Sequence, residues 1–352
     1  MTLTKLPAVM LAGGGSGAAS GFVNPESYGL KAVGVSGADP ALNKIALESA
    51  LAAGPVLLPS KTYQVTGINF TGKIVLIGCG FDSRLVVTGS GAGIHIAIPA
   101  GNVGTILRDF AIEPSVSGGG TYGIHFEQTH ANGYMANWEI SGISMDLSKP
   151  WGSISINLDN HIAAADGFFT GVIEKCVMTT GPNGGIVGDH IGDSIIIRKN
   201  VVSGGLGVSI NCIQVAGARQ LVIQDNNLTS RNGQIYLEAC GQATVRNNWC
   251  EHPAYMGEFV GAPIVLAEIT LASCYMCDLT YNTISGGSGQ SGPGGSPIGG
   301  ASYGVRLTGT TQISIIGPRN WIYAVGISYI NDISTSGTNS AISTGTGANI
   351  LA

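Results

Sequence analysis

The sequence predicts an all-β solenoid, a right-handed single-stranded parallel β-helix with a short N-terminal capping helix. The first observation behind this is a strand-like unit that recurs and ends in an acid or amide. It reads Ile124-His125-Phe126-Glu127, Ile156-Asn157-Leu158-Asp159, Ile186-Val187-Gly188-Asp189, Val208-Ser209-Ile210-Asn211, Ile235-Tyr236-Leu237-Glu238 and Val265-Leu266-Ala267-Glu268. The second is a recurring asparagine: Asn200, Asn226, Asn248, Asn282 and Asn320, with Cys176 one turn earlier. A period in the low twenties, lengthened where loops are inserted, marks a solenoid. The third is composition: 55 glycines in 352 residues, 11% charged and 44% hydrophobic. Glycine is about twice its usual share and charge under half, while the hydrophobic fraction is too high for disorder.

Taken in order, residues 1–27 read as a flexible leader. Lys5 followed by Leu6 to Ala12 faintly resembles a secretory signal, but Pro7 and Gly13-Gly14-Gly15 leave its apolar core short. Residues 28–64 carry the capping helix and the opening strands. Asp39 is the N-cap, Pro40 the first helical residue, and Gly54 the stop. Leu42, Ile45, Ala46, Ser49 and Ala53 share a mostly apolar face, suited to covering the open end of a solenoid. Pro55-Val56-Leu57-Leu58-Pro59 and Lys61-Thr62-Tyr63-Gln64-Val65 read as the first strands, followed by Ile74-Val75-Leu76-Ile77-Gly78 and Arg84-Leu85-Val86-Val87.

Residues 65–335 form the rungs. Alternate residues of a strand face opposite sides, so each acidic unit buries an aliphatic pair, with Gly or Ala standing in twice, and points its acid or amide outward. Stacked, those positions form a line about 4.8 Å apart. Asparagine tolerates left-handed backbone and bonds to its own copy on the next turn, so the asparagines form an inward stack at one corner. Glu251-His252 opens an insertion to Pro263, fit to wall a groove or meet a neighbouring subunit. Gly286 to Gly300 is an exposed Gly/Ser/Pro loop, and residues 336–352 a polar C-terminal tail.

Several functions are disfavoured. A net charge of −5 without a Lys/Arg cluster argues against nucleic acid. No Gly-rich run is followed by Lys-Ser/Thr, as phosphate cradles require, and no apolar run approaches the roughly 18 residues of a membrane span. Seven cysteines cannot complete a disulfide framework within one chain. Cys240 and Cys274 each precede a corner asparagine by eight residues, as buried stacked thiols would. Cys274 and Cys277 form a lone CxxC without a second ligand pair, so no metal site is assigned.

The stretch from Tyr28-Gly29-Leu30 through the helix, Val56-Leu57-Leu58-Pro59, Lys61-Thr62-Tyr63 and Ile77-Gly78-Cys79-Gly80 resembles the opening segment of pectate-lyase-like β-helix proteins. It is most similar to the version in bacteriophage tailspikes and depolymerases. The resemblance covers about residues 28 to 87; beyond it the match is to generic rungs. The family's paired acids before the helix are reduced to Asp39-Pro40, which bears on local capping. The resemblance implies a homotrimer, binding of host-surface polysaccharide and, in many members, glycan cleavage.

Glycoside hydrolysis needs one carboxyl to protonate the leaving oxygen and another as nucleophile or base, about 5 Å apart for retention and about 6.5–9.5 Å for inversion. Glu127/Asp159, Asp159/Asp189 and Glu238/Glu268 are expected on adjacent rungs, with Asn211 between Asp189 and Glu238. Asp159, Asp189, Glu238 and Glu127 are therefore the candidate catalytic residues. His125, His161, His190, Asn211, Tyr236, Trp151 and Glu268 are the candidate substrate-binding residues, Trp151 as an exposed platform in the Lys149-Pro150-Trp151-Gly152 loop. Trp249 and Trp321, following the corner asparagines, are expected to help the rungs pack. The same line of acids also suits a surface that only binds glycan, or ordinary solvated strand ends.

A polysaccharide lyase is the chemical competitor. In the resembling calcium-dependent lyases an arginine is the base and acids hold the metal; outward acids suit calcium. Arg198, Arg219, Arg246 and Arg306 sit away from the densest acids, and no lyase signature is present. The combined expectation is a tailspike-type hydrolase of a bacterial surface polysaccharide, without cofactor. It would be trimeric, on a phage virion acting at the host surface, and joined to the tail or baseplate through its N-terminus. The alternatives are a secreted lyase, with calcium, and a non-catalytic attachment or adhesin module.

Overall fold

Successive turns of the chain stack because equivalent positions carry equivalent aliphatic side chains. Ile94, Ile124, Ile156, Ile186, Ile213, Ile235, Ile269 and Val305 form one inward column, paired strand to strand and buried throughout. Leu107, Ile140, Ile173, Ile197, Ile223, Val245 and Leu279 form another. The result, in a computed structural model, is a right-handed parallel β-helix with one N-terminal helix. The structure describes residues 21–99, 101–131, 133–160, 167–204, 211–230, 233–251, 267–285, 303–312, 314–317, 319–323, 328–332, 334, 339–341 and 350–351.

Among these residues an eleven-stranded ladder runs from Val56–Leu58 to Ser340–Ala341, and a ten-stranded one from Ile68–Thr71 to Ser328–Asp332. A seven-stranded ladder runs from Val177–Thr180 to Ile350–Leu351, and two three-stranded ladders complete the early coils. No helix among the described residues is long and apolar enough to cross a membrane.

The helix α1, Pro40–Ala53, starts where expected: Asp39 accepts hydrogen bonds from the Ala41 and Leu42 N–H groups, both 2.9 Å. Its buried face differs from the expected one. Asn43, Ala46, Leu47, Ala50 and Leu51 are buried, while Leu42 and Ile45 are 61% and 59% exposed. Asn43 explains the rotation. Its amide accepts from Lys31 N (2.8 Å) and donates to Lys31 O (2.8 Å) and Gln64 O (2.9 Å), tying the helix to the opening strands. The face expected from Leu42, Ile45, Ala46, Ser49 and Ala53 is thus turned partly to solvent.

The asparagine corner is as expected in its bonds and shifted by one residue in its backbone. Each Oδ1 accepts from the N–H of the residue one coil earlier: Asn200 from Cys176, Asn226 from Asn200, Asn248 from Asn226, Asn282 from Asn248, Asn320 from Asn282. The left-handed residue is the one before: Lys175, Lys199, Asp225, Asn247, Tyr281 and Arg319 have φ between 54° and 63°. The sharp turn removes the next N–H from the backbone ladder, and the stacked amide gives it a partner. Cys176, Cys212, Cys240, Cys250, Cys274 and Cys277 are buried free thiols; burial pushes Cys176 up to about 12.

The ladder also extends past the expected bounds. Val56–Leu58 already pairs with Val75–Gly78, and Ser340–Ala341 and Ile350–Leu351 continue two ladders into the segment read as a tail. A two-residue strand such as Ser340–Ala341 or Ile350–Leu351 is too short to show an alternating pattern, so the sequence does not announce those two. The insertion from His252 to Pro263 and the loop from Gly286 to Gly300 lie outside the described residues.

Candidate active site

The ten-stranded ladder presents two outward columns. One runs Thr71, Ala97, Glu127, Asp159 and Asp189. Gly188 pairs with Val215, so Ala216 comes next, followed by Glu238, Ala272 and Thr308. The other runs Asn69, His95, His125, Asn157, Val187, Gln214, Tyr236, Thr270 and Arg306. Glu127, Asp159 and Asp189 therefore occupy three consecutive rungs, and Glu238 lies two rungs beyond Asp189.

Two residues expected in the line are absent from it. The rung after Asp189 is Ile213–Ala216, not the unit ending at Asn211, and Asn211 is buried. The next rung but one is Ala267–Ala272, in which Ala272 pairs with Glu238. Glu268 sits four residues earlier and is fully buried, its Oε2 accepting from Gln234 Nε2 at 2.9 Å. Burial raises its pKa to about 8, only partly offset by that hydrogen bond. Ile213-Gln214-Val215-Ala216 and Ile269-Thr270-Leu271-Ala272 fit the unit except for their last residue, so a pattern keyed on acids slides to the nearest acid or amide.

Trp151 is also not a platform. It is fully buried, its ring resting where β-carbons of Gly93, Gly120 and Gly123 would be, 2.8–2.9 Å from indole atoms. The exposed indoles are Trp249 and Trp321, 45% and 50% exposed and each paired with Thr283 in the seven-stranded ladder, not packing between rungs as expected. His161 lies outside the described residues.

Around the carboxylates the histidines are ordered by the same register. His95 pairs directly with His125, their imidazoles stacked at 5.1 Å and 26°. His95 Nε2 lies 2.7 Å from Glu127 Oε2, and His125 Nε2 lies 3.6 Å from Asp159 Oδ2. The Tyr122 ring sits 4.5 Å from that of His125. Burial, then the neighbouring His95, lowers the His125 pKa and favours the neutral ring. Burial, then Asp159 and Glu127, raises Tyr122, which keeps its phenol protonated. One rung on, His190 Nδ1 lies 2.8 Å from Asp189 Oδ1, both about half exposed. His190 reaches back because its φ is +46°, in the left-handed region. Tyr236 donates to Glu238 Oε2 at 3.3 Å.

His95 and Tyr122 are the functional candidates that pattern reading missed. Ile94-His95-Ile96-Ala97 repeats the unit with alanine in the acid's place, and Tyr122 precedes the four-residue unit on the same strand. The arrangement offers carboxylates at about 5 Å steps with imidazoles beside them. Two surface concavities, one lined by Thr88, Gly120 and Thr121 and one by Arg219, Gln242 and Tyr275, contain none of these acids. The carboxylates follow one another along the strand-stacking direction, an arrangement suited to a chain-like ligand.

No protein-family model and no curated protein matches the chain. Solved structures do. Pre-mature gene product 12 of bacteriophage phi29 aligns over 92% of this chain and 57% of its own, with 16% identity and a TM-score of 0.52. DFA-IIIase from Arthrobacter chlorophenolicus A6 in complex with GF2 aligns over 91% and 92%, with 14% identity and 0.55. The enzymatically active domain of bacteriophage CBA120 tailspike protein 2 aligns over 84% and 47%, with 12% identity and 0.51. At these identities the likeness is one of fold, and the chain spans little more than half of the phi29 protein.

Proposed function

We propose that this β-helix binds a bacterial surface polysaccharide along its ten-stranded face and hydrolyses it with paired carboxylates. The observation that carries the reading is the consecutive placement of Glu127, Asp159 and Asp189, with imidazoles against all three. Adjacent-rung spacing of about 5 Å matches the retaining arrangement of two carboxyls. In that arrangement Asp189 gives its proton to the bridging oxygen as the glycosidic bond breaks, and Asp159 bonds to the anomeric carbon. Water then cleaves that ester, its proton returning to Asp189. Glu238 and Tyr236, farther along the strip, bind sugar hydroxyls.

Two of the solved likenesses are phage proteins, which supports a tailspike setting; to this we add a homotrimer on the virion, joined to the tail through its N-terminus. The test is incubation of the purified protein with capsular polysaccharides and lipopolysaccharides from a panel of hosts. Oligosaccharides each one water heavier are expected, and Asp189→Asn and Asp159→Asn should each slow their release by about a hundredfold or more while glycan binding persists. Products with the ultraviolet absorbance of an unsaturated uronate would replace this reading with a lyase. Binding without cleavage would replace it with an attachment module.

A further inference from the structure

We propose that His95, His125 and Glu127 form a binding site for a divalent transition-metal cation of the zinc class. One donor atom from each, two imidazole nitrogens and a carboxylate oxygen, lie within 4.8 Å of one another. They come from two adjacent strands, Ile94–Ile98 and Tyr122–Gln128, whose register sets His95 directly against His125, with Glu127 two residues on along the same face. The backbone that carries the donors is fixed by the parallel ladder, so assembling the site needs only side-chain rotation. Donors about 2.0–2.1 Å from one zinc ion stand roughly 3.4 Å apart, which asks the widest separation here to close by about 1.4 Å.

A second observation points the same way. His125 is nine-tenths buried, and its Nε2 makes no hydrogen bond among the described residues, with the Asp159 carboxylate standing off at 3.6 Å. Its ring packs against those of His95 and Tyr122, 5.1 and 4.5 Å between centroids. Buried polar atoms are rarely left this way, and a cation shared with His95 and Glu127 would satisfy it.

The donor set selects the ion. Two imidazoles and one carboxylate suit zinc, cobalt or nickel, whereas calcium and magnesium take oxygen ligands. Three protein ligands leave coordination positions open, as in sites that meet a substrate rather than purely structural ones. Asp159, on the next rung, stands beside the site with Oδ2 3.6 Å from His125 Nε2. The site thus lies at one end of the carboxylate strip, where a cation would attract an anionic sugar such as a uronate or phosphate-bearing residue. Glu127 then holds metal, and the hydrolytic pair remains Asp159 and Asp189.

The test uses the full chain without a histidine tag, stripped with chelator, and titrated calorimetrically with Zn²⁺ and spectroscopically with Co²⁺. One equivalent should bind, and Co²⁺ should show the visible absorption of a nitrogen- and oxygen-ligated ion. His95→Gln, His125→Gln and Glu127→Gln should each weaken binding about tenfold or more. Thermal melts of the stripped proteins check that each variant folds; any one folded variant suffices for comparison. Asp189→Asn should bind metal as wild type does, so loss of cleavage and loss of metal are separable results. Absence of stoichiometric uptake, uptake unaffected by all three substitutions, or preference for Ca²⁺ would overturn the proposal.

Discussion

A carboxyl group in an apolar interior couples folding to pH, and Glu268 is such a group. Its pKa rises to about 8 against an ordinary value of 4.5, chiefly through burial. The folded state therefore binds the proton more tightly than the unfolded chain. Its contribution to stability is complete below about pH 4.5 and is lost as pH climbs toward about 8. Melting temperature should fall across that interval, by an amount equivalent to a few kcal/mol. Glu268→Gln, which keeps the shape without the titration, should flatten the profile and raise the melting temperature at pH 8. An unchanged profile in that variant would assign the pH dependence elsewhere. Trp151 shows the same scale from the packing side. Its ring leaves no room for a β-carbon at Gly120, whose φ of +68° already disfavours one. Gly120→Val should cost about 2–4 kcal/mol, measurable by chemical denaturation, whereas Gly91→Ala, facing open space, should cost far less.

Elements in this fold are specified by alternation and stacking, and that determines what a sequence reveals. Strands whose outward residues are acids or whose corners are asparagines were legible, and so was the helix between Asp39 and Gly54. The Glu127–Asp159–Asp189 run was legible because three strands share one pattern. Rungs ending in Ala216 and Ala272 were not, since alanine gives no register mark and a parallel ladder fixes register only through its neighbours. The buried state of Trp151 was hidden for a related reason: its cover consists of glycines, which read as turns. The corner amides yield a sharp prediction. Asn248→Ala would leave buried Asn226 N and Ile223 O, which its amide serves at 3.1 and 3.0 Å, without partners. With each orphan costing about 1–3 kcal/mol, the loss should be about 2–5 kcal/mol, read from urea midpoints. A cost below about 1 kcal/mol would mean water replaces the amide.

For the whole molecule, coils contact only their neighbours, as in other solenoids. Stability should therefore be greatest in the middle and fall toward the ends. Hydrogen exchange should be slowest in the strands from Glu139–Ser141 to Asp278–Thr280 and faster in Ser340–Ala341 and Ile350–Leu351. Uniform protection along the chain would show that the molecule unfolds as one unit. The interior also changes along its length. The largest fully buried aromatic rings, Tyr63, Phe110, Phe126, Trp138, Trp151 and Phe168, all precede the asparagine corner, which begins at Cys176. Beyond that point no Phe, Tyr or Trp ring is buried among the described residues.

The corner has an evolutionary consequence. Asn226 and Asn248 have interchangeable surroundings: each N–H meets the next asparagine's Oδ1, and each Nδ2 reaches a backbone carbonyl of the coil before and the next asparagine. Excising residues 226–247 and joining 225 to 248 would recreate the same set of bonds between Asn200 and Asn248. As far as the corner is concerned, such a lattice can gain or lose a coil by duplication or deletion in the gene, although this excision also removes Gln234, the partner of buried Glu268. The length of the outward strip is in that sense a heritable variable, adjustable in whole turns.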